Sequence, residues 1–180
     1  MFLVILSFLP FCLTLNCGPL NPEIVWGSQL DTVHNLLTLG EDYWMAENGK
    51  TSGQGFIMKL GSCEQTIAGI RIQNPNGPMA GTKKFRISGS LSQQGPWRET
   101  LLQEEMEDGR WLSKNPPPII TFYFTLPVTV QFLRFELVEF FGIGGGLQYF
   151  SPVGKEERLE KNQKVILDLP RILPGVQTAW

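Results

Sequence analysis

Histidine is almost absent from this chain, and with it goes most of the chemistry that depends on an imidazole. His34 is the only one in 180 residues. A nucleophilic triad needs a base beside its nucleophile, and His34 lies in a short apolar–polar stretch that reads as a helical turn. Cysteine is scarce too, at three residues, and no Cys/His spacing matches a zinc site. Charged residues make up only 18% of the chain and the net charge is −2. No basic cluster exceeds Lys83–Lys84, so the electrostatic footprint of a nucleic-acid-binding protein is missing. There is no Asn-x-Ser/Thr acceptor for N-glycosylation, and no phosphate-cradling glycine loop that opens a helix. A glycosidase needs two carboxylates flanking one bond. Glu104, Glu105, Glu107 and Asp108 are instead crowded into one stretch that reads as a solvated acidic loop. A hydrolase would need carboxylates that converge only in space.

Apolar residues are plentiful, at 42%, which argues for a folded core rather than disorder. Met1–Leu15 (MFLVILSFLPFCLTL) is a nearly unbroken apolar run at the extreme N-terminus. It is too short to span a bilayer well, and its position suits the apolar segment of a secretory signal peptide. The reading is a signal over residues 1–16 and a secreted, extracellular product. An uncleaved anchor or a buried strand is the alternative, since the positively charged leader and a small-x-small cleavage site are lacking. The mature chain would keep Cys17 and Cys63. An even pair in an oxidising compartment suggests one disulfide, against two separate buried cysteines.

Between these ends, period-2 alternation dominates. FIMKL (Phe56–Leu60), TIAGIRIQ (Thr66–Gln73) and KFRISGSL (Lys84–Leu91) alternate apolar and polar residues. Asn74–Pro78 and Gln94–Pro96 supply turn chemistry between strands. Ile119–Leu126 is strand-like up to Pro127. In Gln131–Phe140, Leu133, Phe135 and Leu137 share one face and Phe132, Arg134, Glu136 and Val138 the other. Asp31–Leu39 reads as a helical turn or irregular loop, and Leu147–Val153 as a last short strand. Such spacing predicts an all-β fold: an antiparallel β-sandwich or jelly-roll barrel of about eight strands. The domain is placed at residues 17–153, with a charged, proline-broken extension over 154–180.

Several motifs then occur in a telling order. Trp44 is followed by a loop, by FIMKLG (Phe56–Gly61) and by IAGIRIQ (Ile67–Gln73). FRISGS (Phe85–Ser90), QGPW (Gln94–Trp97), TVQFLRFELVEF (Thr129–Phe140) and GGGLQYF (Gly144–Phe150) come next. This succession resembles a discoidin-type domain, the C-terminal module of coagulation factors V and VIII, in the galactose-binding-like superfamily. Phe56 stands where that family usually has tryptophan, Lys59 where it has an acidic residue, and its closing cysteine is missing.

The resemblance implies a rigid sandwich whose loops at one end hold the ligand, with Trp44 and Trp97 packed in the core. By position it points to Glu41, Asp42, Asn48, Lys50, Asn76, Met79, Lys83, Arg110 and Trp111 as ligand-binding candidates. Trp111 would stack on a sugar face or plug the barrel end. It also makes calcium a possible cofactor, with Asp31, Asn35 and Asp42 as oxygen ligands, although a solvated acidic surface explains them equally simply. The expected function is non-catalytic recognition of an extracellular glycan or cell-surface protein, in adhesion or matrix interaction. Binding to anionic phospholipid is the alternative, for which Met79 is a single apolar tip.

Overall fold

The structure is a computed structural model that describes residues 18–77, 79–98, 100–108 and 117–158. The expected signal segment, Cys17, Arg110, Trp111 and most of the C-terminal extension lie outside these residues.

The chain forms β1 (Glu23–Gly27), then a helical turn α1 (Leu30–Val33) that continues as a 3-10 turn (His34–Leu37), then β2 (Trp44–Met45) and β3 (Gly55–Lys59). There follow β4 (Gln65–Gln73), β5 (Ala80–Ser90), β6 (Leu102–Glu105), β7 (Ile120–Val130), β8 (Phe132–Gly142), β9 (Gly146–Leu147) and β10 (Tyr149–Gly154). One sheet has the order β1-β3-β8-β5-β6, a second has β10-β4-β7, and β2 pairs with β9 at one end. All these named strand pairs are antiparallel. The chain is thus an antiparallel β-sandwich, as its alternation predicts.

That alternation also fixes which face is buried. In β3, Phe56 and Met58 are buried while Ile57 and Lys59 turn outward; in β8, Leu133, Phe135 and Leu137 are buried while Arg134 and Glu136 turn outward. Register brings Phe56 opposite Phe135 and Phe135 opposite Ile87. The centre of the core is accordingly aromatic. Phe135 stacks on Phe56 at 5.0 Å and on Phe85 at 5.7 Å, and Trp44 and Phe150 each meet it edge-on at 6.0 Å. Edge-on and offset contacts suit the ring quadrupoles and add to the burial energy.

Four details differ from the sequence reading. Glu104 and Glu105 belong to edge strand β6, anchored by buried Leu102 and Met106, rather than to a loop. Pro127 does not end a strand: it lies within β7, an edge strand, where its missing donor costs no ladder bond if that side faces outward. Trp97 is not in the core. It is half-buried on the outside of the large sheet, with the Arg134 guanidinium 5.8 Å from its ring centroid. Residues 155–158 form a helical turn on the smaller sheet, where Glu157 pairs with Arg71 and Arg158 donates to the Phe124 carbonyl at 3.0 Å.

On the same large sheet, Glu139 lies between two lysines, 2.8 Å from Lys83 Nζ and 2.9 Å from Lys84 Nζ. The hydrogen bond from Lys83, then that from Lys84, holds the Glu139 carboxyl down at about 2, and the same contact raises the Lys83 ammonium. A carboxyl lowered in the folded state stabilises it above the unfolded value of 4.5, and that contribution is lost as pH falls toward 2. Carbon-detected NMR titration is expected to place the Glu139 midpoint near 2, moving toward 4.5 in Lys83→Met. An unmoved midpoint would show that Lys83 is not its main partner.

Candidate functional site

The sandwich has two ends. At one, Ser90 of β5 is opposite Phe132 of β8; at the other, Ala80 is opposite Gly142. The second end gathers the segments 38–54, 74–77 and 142–148 and Met79, with Gln73 and Tyr149 paired beside them. Loops there are fastened by polar side chains. The Asn74 amide donates to the Thr82 carbonyl at 3.0 Å and accepts from the Thr82 N–H at 2.9 Å, closing the turn between β4 and β5. Thr82 Oγ1 in turn donates to the Gly146 carbonyl at 2.9 Å.

The glycine run Gly142–Gly146 lets β9 come this close. A Cβ on Gly146 would lie 2.9 Å from the Trp44 carbonyl oxygen, where no side-chain carbon fits. Trp44 itself is fully buried and its indole N–H donates to the Ser28 carbonyl at 2.8 Å. Tyr43, its neighbour, is exposed. The pair thus sets a fixed core anchor directly beside a solvent-facing ring.

Tyr43 lines a cleft of ≈ 670 Å³ together with Gly40, Glu41, Gln73, Asn76 and Gln148, and Leu39 and Ile119 add apolar walls. Gln148 is the telling residue. Its main-chain N–H donates to the Gln73 carbonyl at 2.8 Å, and its side-chain amide donates to the Gly40 carbonyl. Its Oε1 is the one buried side-chain polar atom among the described residues without a hydrogen-bond partner. Gln73 is satisfied, donating to the Pro117 carbonyl at 2.6 Å.

Of the residues expected at a ligand site, Glu41 and Asn76 line this cleft. Asp42 and Asn48 are exposed in the flanking loop. Lys50 is paired with Glu47 at 2.6 Å and Lys83 with Glu139, so neither presents a free charge. Met79 is exposed at this end beside Ile143, whose N–H donates to the Met79 carbonyl at 2.9 Å. Asp31 and Asn35 lie on the helical turn, and among the described residues no three of His, Cys, Asp or Glu converge on a metal position. Sequence reasoning missed Tyr43, Gln73 and Gln148. The available signal was a glutamine two residues after the Gly144–Gly146 run, flanked by the strand residues Leu147 and Tyr149.

No family model matches the chain, and no curated protein matches it. Solved structures do. The CBM32-1 and CBM32-2 domains of Clostridium perfringens ZmpB match at 14% identity over 82% of this chain, with a TM-score of 0.59; the chain spans 38% of that structure's length. A CBM32-3 domain of a family 31 glycoside hydrolase from Clostridium perfringens matches at 16% identity over 74% of this chain and 91% of its own, also with a TM-score of 0.59. The family 32 CBM of Clostridium perfringens NanJ, solved with galactose, matches at 11% identity over 74% of this chain and 92% of its own, with a TM-score of 0.56. At these identities the likeness is one of fold. The chain has the discoidin-type, galactose-binding-like β-sandwich fold.

Proposed function

We propose that this chain is a secreted, non-catalytic carbohydrate-binding module that takes a glycan into the loop-end cleft. The observation that carries this reading is Gln148: a buried acceptor without a donor, in the wall of a cleft that also offers an exposed aromatic ring. Buried polar atoms are nearly always partnered, and a sugar hydroxyl supplies the missing donor. Tyr43 gives a flat face for the C–H side of a pyranose. Asn76, Gln148 and Glu41 give donors and acceptors around the edge. The likeness to a module solved with galactose makes that sugar the first probe.

A glycan array followed by calorimetry tests the proposal. Tyr43→Ala is expected to weaken binding about tenfold or more, since a stacked ring contributes on the order of 1 kcal/mol or more beyond its area. Its fold should be unchanged because the side chain is exposed. Affinity should be the same in calcium and in chelator. Equal affinity of wild type and Tyr43→Ala would remove the cleft as the site.

One observation favours a second reading, adhesion to a lipid surface. Leu39, Met79, Ile119 and Ile143 are all exposed at or beside the loop end, more apolar surface than Met79 alone supplies. The nearby lysines are already paired with glutamates, so attraction to anionic headgroups would be weak. Sedimentation with phosphatidylserine vesicles, absent with phosphatidylcholine alone, would favour the membrane reading over the glycan.

We also propose that Cys63 is joined to Cys17. Gln65 Nε2 lies 3.9 Å from Cys63 Sγ and donates to the Gly18 carbonyl at 3.1 Å. One side chain therefore holds the residue after Cys17 close to the sulfur of Cys63.

A further inference from the structure

The outward face of the large sheet carries features that the loop-end cleft does not use. Trp26, on the edge strand β1, is 45% exposed on that outward face. It borders two depressions, of ≈ 360 and ≈ 320 Å³, and Arg134 borders both with it. Gly55 lines the larger one, and a Cβ there would lie 2.1 Å from the Phe135 carbonyl oxygen, so only glycine fits at that position. Register explains the groove. Trp26 is opposite Ile57, Ile57 opposite Arg134, Gly55 opposite Glu136, and Glu136 opposite Arg86. From Trp26 to Arg86 the groove crosses β1, β3, β8 and β5, about 14 Å at the usual strand spacing.

Its charge is unbalanced. Among the described residues, Arg86, Arg134 and Glu136 are the charged ones that line the two depressions, leaving one guanidinium in excess on a chain whose net charge is −2. Arg134 is committed: it pairs with Glu136 and covers the Trp97 ring. Arg86 is not. Its Nε donates to Gln103 at 3.3 Å, and its two terminal nitrogens have no partner among the described residues. A guanidinium presents a planar fork that matches a carboxylate. Trp26 offers an aromatic face at the other end of the groove, and Gln93 and Gln94 border the smaller depression.

We propose that this face is a second binding site, for an oligosaccharide that bears carboxylates. A sugar ring stacks on Trp26, the chain crosses the groove over Gly55, and a uronate carboxylate is gripped by Arg86. A peptide fits less well, because a chain lying in the groove runs across the strands and does not pair along the edge strand β1. The site stands independently of the loop-end cleft.

Calorimetry with tri-galacturonate and with its fully methyl-esterified form tests this. The acid should bind wild type, the ester at least tenfold more weakly, and added salt should weaken the acid alone. Trp26→Ala and Arg86→Gln should each lose about tenfold or more, and Arg86→Lys should retain part of the affinity. Both side chains are partly exposed, and thermal melting checks that the variants are folded. Tyr43→Ala should leave uronate binding unchanged, which separates this site from the loop-end cleft. The proposal is overturned if wild type does not bind the acid at millimolar concentration, or if the ester binds equally. It is overturned also if Trp26→Ala and Arg86→Gln bind like wild type, or if hexaglutamate binds as tightly as the uronate.

Discussion

Phe135→Ala is expected to lower the free energy of unfolding by about 3–5 kcal/mol, a large part of what a domain of this size possesses. The residue sits where five aromatic rings meet, stacked on Phe56 and Phe85 and met edge-on by Trp44 and Phe150. Truncation removes the ring's transfer energy and leaves a cavity between two sheets whose strands are hydrogen-bonded and cannot easily close on it. Ile57→Ala, one register position away on the outward face, should cost about 1 kcal/mol or less by the same measure. Urea unfolding of both variants gives the comparison. A Phe135→Ala loss no larger than that of Ile57→Ala would mean that the aromatic cluster does not hold the two sheets together.

The contrast between those two positions also marks what could be read without coordinates. In β3 and β8 the side-chain period of two separates core from surface cleanly, so Phe56, Met58, Leu133, Phe135 and Leu137 were assignable from alternation alone. Elements no longer than one period left no such trace. β2 and β9 are two residues each and exist because Trp44 and Leu147 are paired across the chain; neither segment specifies that partner locally. Edge strand β6 was hidden because three of its four residues face solvent and only Leu102 is buried. Trp97 misled for a different reason. A tryptophan can bury its ring against the stem and guanidinium of an arginine as readily as in a hydrophobic core, and which of these occurs depends on Arg134, distant in sequence.

The candidate site was less legible than the fold, and the cause is the same. Loops named from the family resemblance lie at the end of the sandwich that holds the cleft, which Glu41 and Asn76 line. What distinguishes that cleft is an unpaired acceptor on Gln148, and pairing is a property of neighbours that are far apart in the chain: Gly40 on one side and Gln73 on the other. Scaffold and site divide here in an ordered way. Tyr43 and Gln148 each directly adjoin a fully buried residue, Trp44 and Leu147, and those two are paired with each other. The proposed recognition groups are therefore carried on rigid backbone, which would lower the ordering cost of binding. The same logic places Trp26 and Arg86 within paired strands.

Loss of the proposed Cys17–Cys63 bond is expected to be the other large effect. A cross-link acts mainly by restricting the unfolded chain, and for a loop closed between residues 17 and 63 the chain-entropy estimate is about 4 kcal/mol. In a domain of this size that corresponds to a fall in melting temperature of roughly 10–15 °C. The bond would fix the N-terminal segment against the loop after β3, where the Asn21 N–H already donates to the Leu60 carbonyl at 3.0 Å and Gln65 reaches Gly18. Cys63→Ser and wild type in reductant should therefore melt alike, both well below oxidised wild type. Combining reductant with Cys63→Ser should add nothing further. Non-reducing peptide mapping supplies the direct test, and recovery of both cysteines as free thiols from oxidised protein would rule the bond out. A melting temperature that reductant does not change would mean that the N-terminal segment is held by its hydrogen bonds and by Leu20 packed against the core, and that the sandwich is stable without the covalent tie.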